Sequence, residues 1–423
     1  MDAVFSTWGA VVGLLIAIGL IVRKVTPVYA LVVGSLVGGL VGGGGLPETV
    51  AAMVSGTQAM MPSVLRILAS GILVGALVKT GSAAKIADAI VEGLGPRRAL
   101  FSVALAAMIV TAVGVFVDIA VITVAPVALA VGRKARLPVP ALLVAMVGGG
   151  KAGNVISPNP NTIAVSEAFK LDLTSVMAAN LVPSVCALAV TVLLATWLAR
   201  HGGTKSTAEP SATEEPGDSP SVLQAIAGPL TVVVLLMLRP VCGFTVDPLV
   251  ALPAGGLVSV VLCGRARQVV AYSEYGLAKV IGVSVLLIGT GTIAGIVKAS
   301  GLNADMIRLL QACHLPVLAL APVSGVLLSG ATASTTAGVT IAAQTFSEVL
   351  LEAGVPAVTS AAMLHAGGTV LDSLPHGSFF HATAGAVGLS VKERLLLLPF
   401  DALVGLTSSL VSLLLAVASS HWI

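Results

Sequence analysis

The sequence predicts an all-α polytopic membrane protein made of two inverted repeats. Each repeat holds about five transmembrane helices plus a re-entrant hairpin, and broken helices form the site. Three observations carry this prediction. The first is composition: 57% of the 423 residues are hydrophobic, only 10% are charged, and mean hydropathy is +1.05. A soluble domain carries about 25% charge, whereas repeated apolar stretches of about 20 residues are what a ~30 Å hydrocarbon core demands. The second is a weak internal repeat, in which Gly71, Gly75 and Gly81 recur as Gly291, Gly295 and Gly301 at a constant offset of 220 residues. The third is a pair of polar interruptions inside apolar stretches, Gly148–Thr162 and Gly367–Ser378.

The elements follow in order. In the first repeat the predicted spans are 8–22, 26–45, 57–80, a re-entrant hairpin at 98–132, a broken helix at 139–169, and 173–199. Residues 201–220, rich in Thr, Ser, Glu, Pro and Gly, read as a flexible cytoplasmic linker between repeats 1–200 and 221–423. The second repeat reads as 221–238, 246–263, 275–298, a hairpin at 315–350, a broken helix at 354–390, and 395–420. Segments 82–95 and 301–313 mix charged and apolar positions and are expected along the interface.

Charge distribution selects the inverted arrangement. Lys and Arg near short loops favour the cytoplasmic side. In the inverted arrangement 16 basic residues, Lys279 and Arg394 among them, fall on one face, against 4 on the other (Lys170, Arg239, Lys298, Arg308). Arg66 and Lys151 are left at membrane depth. Both termini are then external. Arg23 and Lys24 follow the first apolar run instead of preceding it, which fits a retained first span better than a cleaved leader.

The two interruptions are where chemistry is expected. Pro lacks an amide donor and clashes with the preceding turn, while Gly and Asn weaken helix propagation. In hydrocarbon the freed backbone groups must be satisfied, so such breaks survive around a cavity. Matched breaks in two halves of a membrane chain point to a binding site. Expected substrate contacts are Lys151, Asn154, Ser157, Asn159, Asn161 and Thr162 at the first break, and Ser373 and Ser378 at the second. Thr332, Ser334, Thr335 and Thr336 at the second hairpin tip complete the set.

Ionisable groups at depth are costly, about 2.5–3.5 kcal/mol even on insertion scales, and usually mark an ion or substrate path. Asp118, at the first hairpin tip, together with Asp372 and His376 at the second break, is assigned to proton coupling. Lys151 needs an anion. The sequence favours a bound carboxylate, with pairing to Asp118 or a snorkelling surface position as the alternatives. His365 is read as a packing residue.

Other chemistry finds little support. Cys186, Cys242, Cys263 and Cys313 are scattered, with no metal-ligand spacing, and no metal or cofactor is expected. The motifs GxSxG, HExxH and GxxxxGK[ST] do not occur, which argues against an enzyme.

The segment Leu371-Asp372-Ser373-Leu374-Pro375-His376-Gly377 closely resembles the LDTLPH signature of the gluconate permease (GntP) family. The stretch from Gly71 to Gly95 and the segment from Gly114 to Pro138, closing on Arg136-Leu137-Pro138, are similar to that family as well. The resemblance spans about residues 10–415. It implies a proton-coupled symporter of a small organic acid, such as a gluconate-like sugar acid or a hydroxy acid. It also implies a homodimer in a bacterial inner membrane, working by elevator-type motion with no nucleic-acid partner. Carried over by residue, it implicates Asp372, Pro375, His376 and Gly377. The first break departs from the family's Pro-Gly-Pro pattern, reading Ser157-Pro158-Asn159-Pro160-Asn161-Thr162. A sodium-coupled carboxylate transporter, with Asn154 and Asp118 among its Na⁺ ligands, is the alternative. A passive anion channel would need a continuous pore and no coupled proton site.

Overall fold

The computed structural model describes residues 4–201, 219–302, 304–305, 308 and 316–420. The expected linker and most of the 301–313 segment lie outside the described residues. Among those described, the chain is helical, apart from one isolated bridge between Phe5 and Ser300.

The first repeat begins with α1 (Thr7–Val22) and α2 (Pro27–Val41), followed by α3 (Leu46–Ala59) and α4 (Met61–Lys79). An amphipathic helix α5 (Ser82–Leu94) leads to the first hairpin, α6 (Ala99–Ala112) and α7 (Val117–Lys134). The first broken helix is α8 (Val139–Asn154) plus α9 (Pro160–Ala168), then come α10 (Leu173–Ala179) and α11 (Leu181–His201). The second repeat holds α12 (Val222–Cys242), α13 (Pro248–Leu262) and the long α14 (Val269–Lys298). The second hairpin is α15 (Leu320–Thr332) and α16 (Thr335–Glu352), and the second broken helix is α17 (Ala357–Gly367) and α18 (Ser378–Ala386). A short α19 (Val391–Leu395) and α20 (Leu398–Ser420) close the described chain.

Four helical segments, within 61–79, 181–201, 266–298 and 391–419, are each long and apolar enough to cross a membrane. Shorter apolar helices include α1, α2, α12, α13 and the first arm of the second hairpin. Both hairpins and both breaks occur where the sequence places them. One difference lies in the third span, expected at 57–80. It is α4, and a further helix, α3, runs into it at Met60, whereas α14, the counterpart of the two together, is a single helix of 30 residues. Glu48 and Gln58 dilute the apolar signal of α3, and Pro47 and Pro62 each start a helix at its first turn.

The glycine repeat is a packing device. A Cβ on Gly75 would stand 2.0 Å from the carbonyl oxygen of Tyr272, and one on Gly276 would stand 1.7 Å from that of Gly71. Shifted by the 220-residue offset, the same contacts reappear. A Cβ on Gly295 would stand 2.0 Å from Ala52 O, and one on Gly56 would stand 2.1 Å from Gly291 O. Small residues allow this backbone approach in lipid, where close packing replaces hydrophobic driving force. As the number rises from Gly56 to Gly75 on α3–α4, the partner falls from Gly291 to Tyr272 on α14, so equivalent spans run antiparallel. That pairing is the pseudo-two-fold of an inverted repeat.

Two packed groups result. Helices α1–α4 and α12–α14 form one, and the hairpins, broken helices, α11 and α20 form the other. They meet mainly where α14 touches α16, α4 touches α9, and α5 touches α12.

Candidate functional site

Local chemistry explains the first break. After Asn154, the Asn159 side chain caps α9 by accepting from the amides of Asn161 (2.9 Å) and Thr162 (3.1 Å). Its amide nitrogen donates to Asn154 Oδ1 at 2.6 Å, and Asn161 Nδ2 donates to the same oxygen at 3.0 Å. Thr162 Oγ1 donates to Ser157 O at 2.6 Å, and Ser157 Oγ to Thr111 O at 2.7 Å. These groups answer the backbone freed by Pro158 and Pro160, as burial without water requires. Ser157, Asn159 and Thr162 are thus engaged inside the protein. Asn154 and Asn161 also line a cavity, and the buried Oδ1 of Asn161 receives no hydrogen bond among the described residues.

The hairpin tips are set by backbone. Gly114 at the first tip has φ +114°, and Ala333 at the second takes a left-handed conformation (φ 45°, ψ 42°) that an L side chain adopts at some cost. Ser334 then caps α16 by accepting from Ala337 N. Gly377 presses on this tip so closely that a Cβ there would stand 2.3 Å from Ala333 O. Thr332 returns its hydroxyl to Leu328 O at 2.8 Å on its own helix.

These pieces enclose a cavity of about 250 Å³. Its wall includes the N-termini of four helices: α7 at Phe116–Ile119, α9 at Asn161, α16 at Ser334–Thr336, and α18 at Ser378–Phe379. The start of a helix carries roughly half a positive charge, and here Asn159 and Ser334 already take some of the first amides of α9 and α16. A cavity at four of them suits an anion. The volume is below the roughly 300–1,000 Å³ of drug-sized sites, so the fitting solute is small.

The structure gives Lys151 a partner other than the two expected. Its Nζ lies 2.7 Å from Asp372 Oδ1 and donates to Thr369 O (2.7 Å) and Asp401 O (3.1 Å). Three acceptors use all three ammonium protons, and the side chain is 1% exposed. Lys151 joins the two breaks to each other, so it pairs neither with Asp118 nor, from this position, with a solute. Asp372 also accepts from Thr335 Oγ1 (2.6 Å) and Ser373 Oγ (3.0 Å), and it reaches the cavity wall.

Asp118 lines the same cavity from the first turn of α7, with no ion-pair partner among the described residues. His376 departs from the expected central placement. It is exposed, outside the cavity wall, with Nε2 3.3 Å from Ala331 O. His365 is fully buried, as a packing residue would be, and neither ring nitrogen has a hydrogen-bond partner among the described residues.

Two features escaped the sequence reading. Lys279 and Val283 of α14 form part of the cavity wall. Arg394, counted with the surface basic residues, is instead fully buried. It donates to Asp401 Oδ2 at 2.6 Å and to Thr383 Oγ1 at 3.2 Å, over the ring of Phe380. Near another cavity, Arg66 of α4 clamps Asp247 at 2.9 and 2.6 Å and also bonds Glu167 of α9.

The fold has a solved likeness. The crystal structure of the Alcanivorax borkumensis YdaH transporter, described as revealing an unusual topology, matches with a TM-score of 0.66 over 88% of each chain. At 17% identity that likeness speaks for the fold alone. An uncharacterized transporter of Haemophilus influenzae (strain ATCC 51907 / DSM 11121 / KW20 / Rd) is 50% identical over 410 residues, which is 97% of this chain and 98% of the relative. An uncharacterized permease of the same strain is 26% identical over 195 residues, 44% of this chain and 40% of the relative. The profile described as GntP family permease matches residues 6–418, and the chain belongs to that family of membrane transporters.

Proposed function

We propose that this permease is a secondary active transporter that carries a small organic acid, of the gluconate or hydroxy-acid kind, together with a proton. The observation that supports it most is the convergence of four helix N-termini on one small cavity between the breaks and hairpin tips. The helix starts, with Thr335, Ser378 and the amides of Asn154 and Asn161 nearby, would hold the carboxylate.

Coupling needs a protonation site whose occupancy changes substrate affinity, since that linkage is reciprocal. Asp118 fits the role. Ionised, it repels a carboxylate in the same cavity; protonated, it can donate to one. Asp372 would act through its pair with Lys151, and His376 from the exposed side of the second break. The working motion would carry the hairpin-and-break group past the helices α1–α4 and α12–α14.

Sodium coupling is the second reading, favoured by Asn161 Oδ1, which has no hydrogen-bond partner among the described residues and belongs to a wall residue, as does Asp118. Purified protein in liposomes, loaded to give an inward pH or Na⁺ gradient, tests both readings. Uphill accumulation of labelled gluconate or another acid under the pH gradient alone is expected. Accumulation under Na⁺ alone would replace the proton, and downhill flux without either would indicate a channel.

A further inference from the structure

We infer that Lys279 is the cation that pairs with the substrate's carboxylate on one face of the transporter, making affinity for the acid unequal on the two faces. The inference rests on reading the cavity as a carboxylate site.

Lys279 is the one Lys or Arg among the cavity's lining residues. The other nearby basic side chain, Lys151, spends its three protons on Asp372, Thr369 and Asp401. Lys279 has no carboxylate in ion-pair contact among the described residues. Its ammonium rests 5.2 Å from the centre of the Tyr275 ring, which Lys79 of α4 also approaches at 4.5 Å. Asp118, in the same wall, is the carboxylate that competes for it.

The placement also sets direction. Apart from Val283, every other lining residue belongs to a hairpin tip or a break, whereas Lys279 stands on α14 in the opposite packed group. A carboxylate in the cavity would therefore reach across the boundary between the groups to meet this ammonium. When one group moves past the other, the contact is lost. The inverted repeat supplies no replacement, because the residue 220 positions earlier, on α3, is Ala59. Arg66, at the other end of α4 from Lys79, is held by Asp247 and Glu167. One face of the scaffold thus offers the acid a positive charge, for which Asp118 competes, and the other does not.

The test uses the full chain in liposomes of known orientation, with labelled gluconate as probe and its neutral amide as competitor. On the face carrying Arg265 and Arg267, Lys279→Gln is expected to raise the half-saturation concentration by about tenfold or more, and to remove the preference for gluconate over the amide. On the opposite face the change is expected below about threefold, and Lys279→Arg should stay within about threefold on both. Lys279→Ala serves if the Gln variant does not purify as folded protein. Unchanged affinity on both faces, or an equal loss on both, overturns the inference while leaving the carboxylate reading in place. If the wild-type protein takes up neither gluconate nor lactate nor glycolate, the carboxylate reading fails and this inference with it.

Discussion

The ammonium of Lys151 lies 2.7 Å from the carboxylate of Asp372, and this buried contact binds the break of one repeat to the break of the other. Two charges 1% and 6% exposed are worth keeping together because either alone would be unpaired at depth.

A charge-deletion series follows from that pair. Lys151→Gln or Asp372→Asn alone should lower the thermal stability of the purified protein strongly, on the scale of the ~3–5 kcal/mol seen when one partner of a buried pair is removed. The double variant, which leaves neither charge, should recover much of the loss, since contacting residues are non-additive. Melting in detergent, followed by size-exclusion fluorescence, reads this directly. Additive losses would show that the two charges are held by other groups.

Coupling is tested separately at Asp118. Asp118→Asn keeps the shape of the tip but cannot cycle a proton. Accumulation driven by a pH gradient should disappear, while exchange of internal for external acid continues. Retention of full pH-driven accumulation would move the proton site to Asp372 or His376. His376→Ala in the same assay then separates those two.

Much of this architecture is legible in the sequence, and the reason is local. Gly114, the Gly-Ala-Thr-Ala-Ser-Thr-Thr run and the two Pro-containing interruptions break helices wherever they stand, so their positions survive folding unchanged. The 220-residue glycine offset is legible for a different reason. Gly71, Gly75, Gly291 and Gly295 sit at backbone contacts of α14 with α3–α4, and the two-fold makes that contact twice. Partnerships between distant segments are not legible. Lys151 meets Asp372 only because the two breaks touch, and Arg394 is buried only because Asp401 folds back beside it. Counting basic residues by loop places Arg394 at a surface although it is buried; Lys279 is exposed, as counted, but the count does not show that it also lines the cavity. The same charge asymmetry sets the expected orientation, and labelling checks it. Cysteines placed at the exposed Ser6 and Gln268 should react from opposite sides of intact cells, external and cytoplasmic respectively.

The glycine interface gives a sharper prediction about the fold. Gly276→Ala and Gly56→Ala would put a methyl within 1.7 Å of Gly71 O and 2.1 Å of Gly291 O respectively. Neither neighbour is a flexible side chain, so α14 must separate from α3–α4 or the fold must fail. Both variants should lose most of their folded yield. Gly19→Ala is the control, since nothing lies within 4 Å of its added Cβ. A tolerated Gly276→Ala would contradict the antiparallel pairing on which the inverted repeat rests.

The last prediction concerns the Arg66 cluster. Arg66 and Asp247 belong to one packed group, but Glu167 ends α9 in the other. The Arg66–Glu167 bond therefore crosses the boundary on the far side of the site from Lys279, and any sliding of the groups must break it. Glu167→Gln removes the crossing charge and leaves the bidentate Arg66–Asp247 contact intact. Because both side chains are about a quarter exposed (23% and 25%), solvent screens the bond, and its loss is worth about 0.5–1 kcal/mol. That is roughly a two- to fivefold shift between the two conformations. A cysteine at Ser378, in the cavity wall, reports the shift. Its labelling from the Lys279 side should slow by that factor in Glu167→Gln, because the conformation seen here loses a stabilising contact. Arg66→Gln should slow it by about the same factor, since it removes the same crossing bond, while its contact with Asp247 lies within one group. Equal labelling rates in all three proteins would mean that Glu167 does not hold the two groups together.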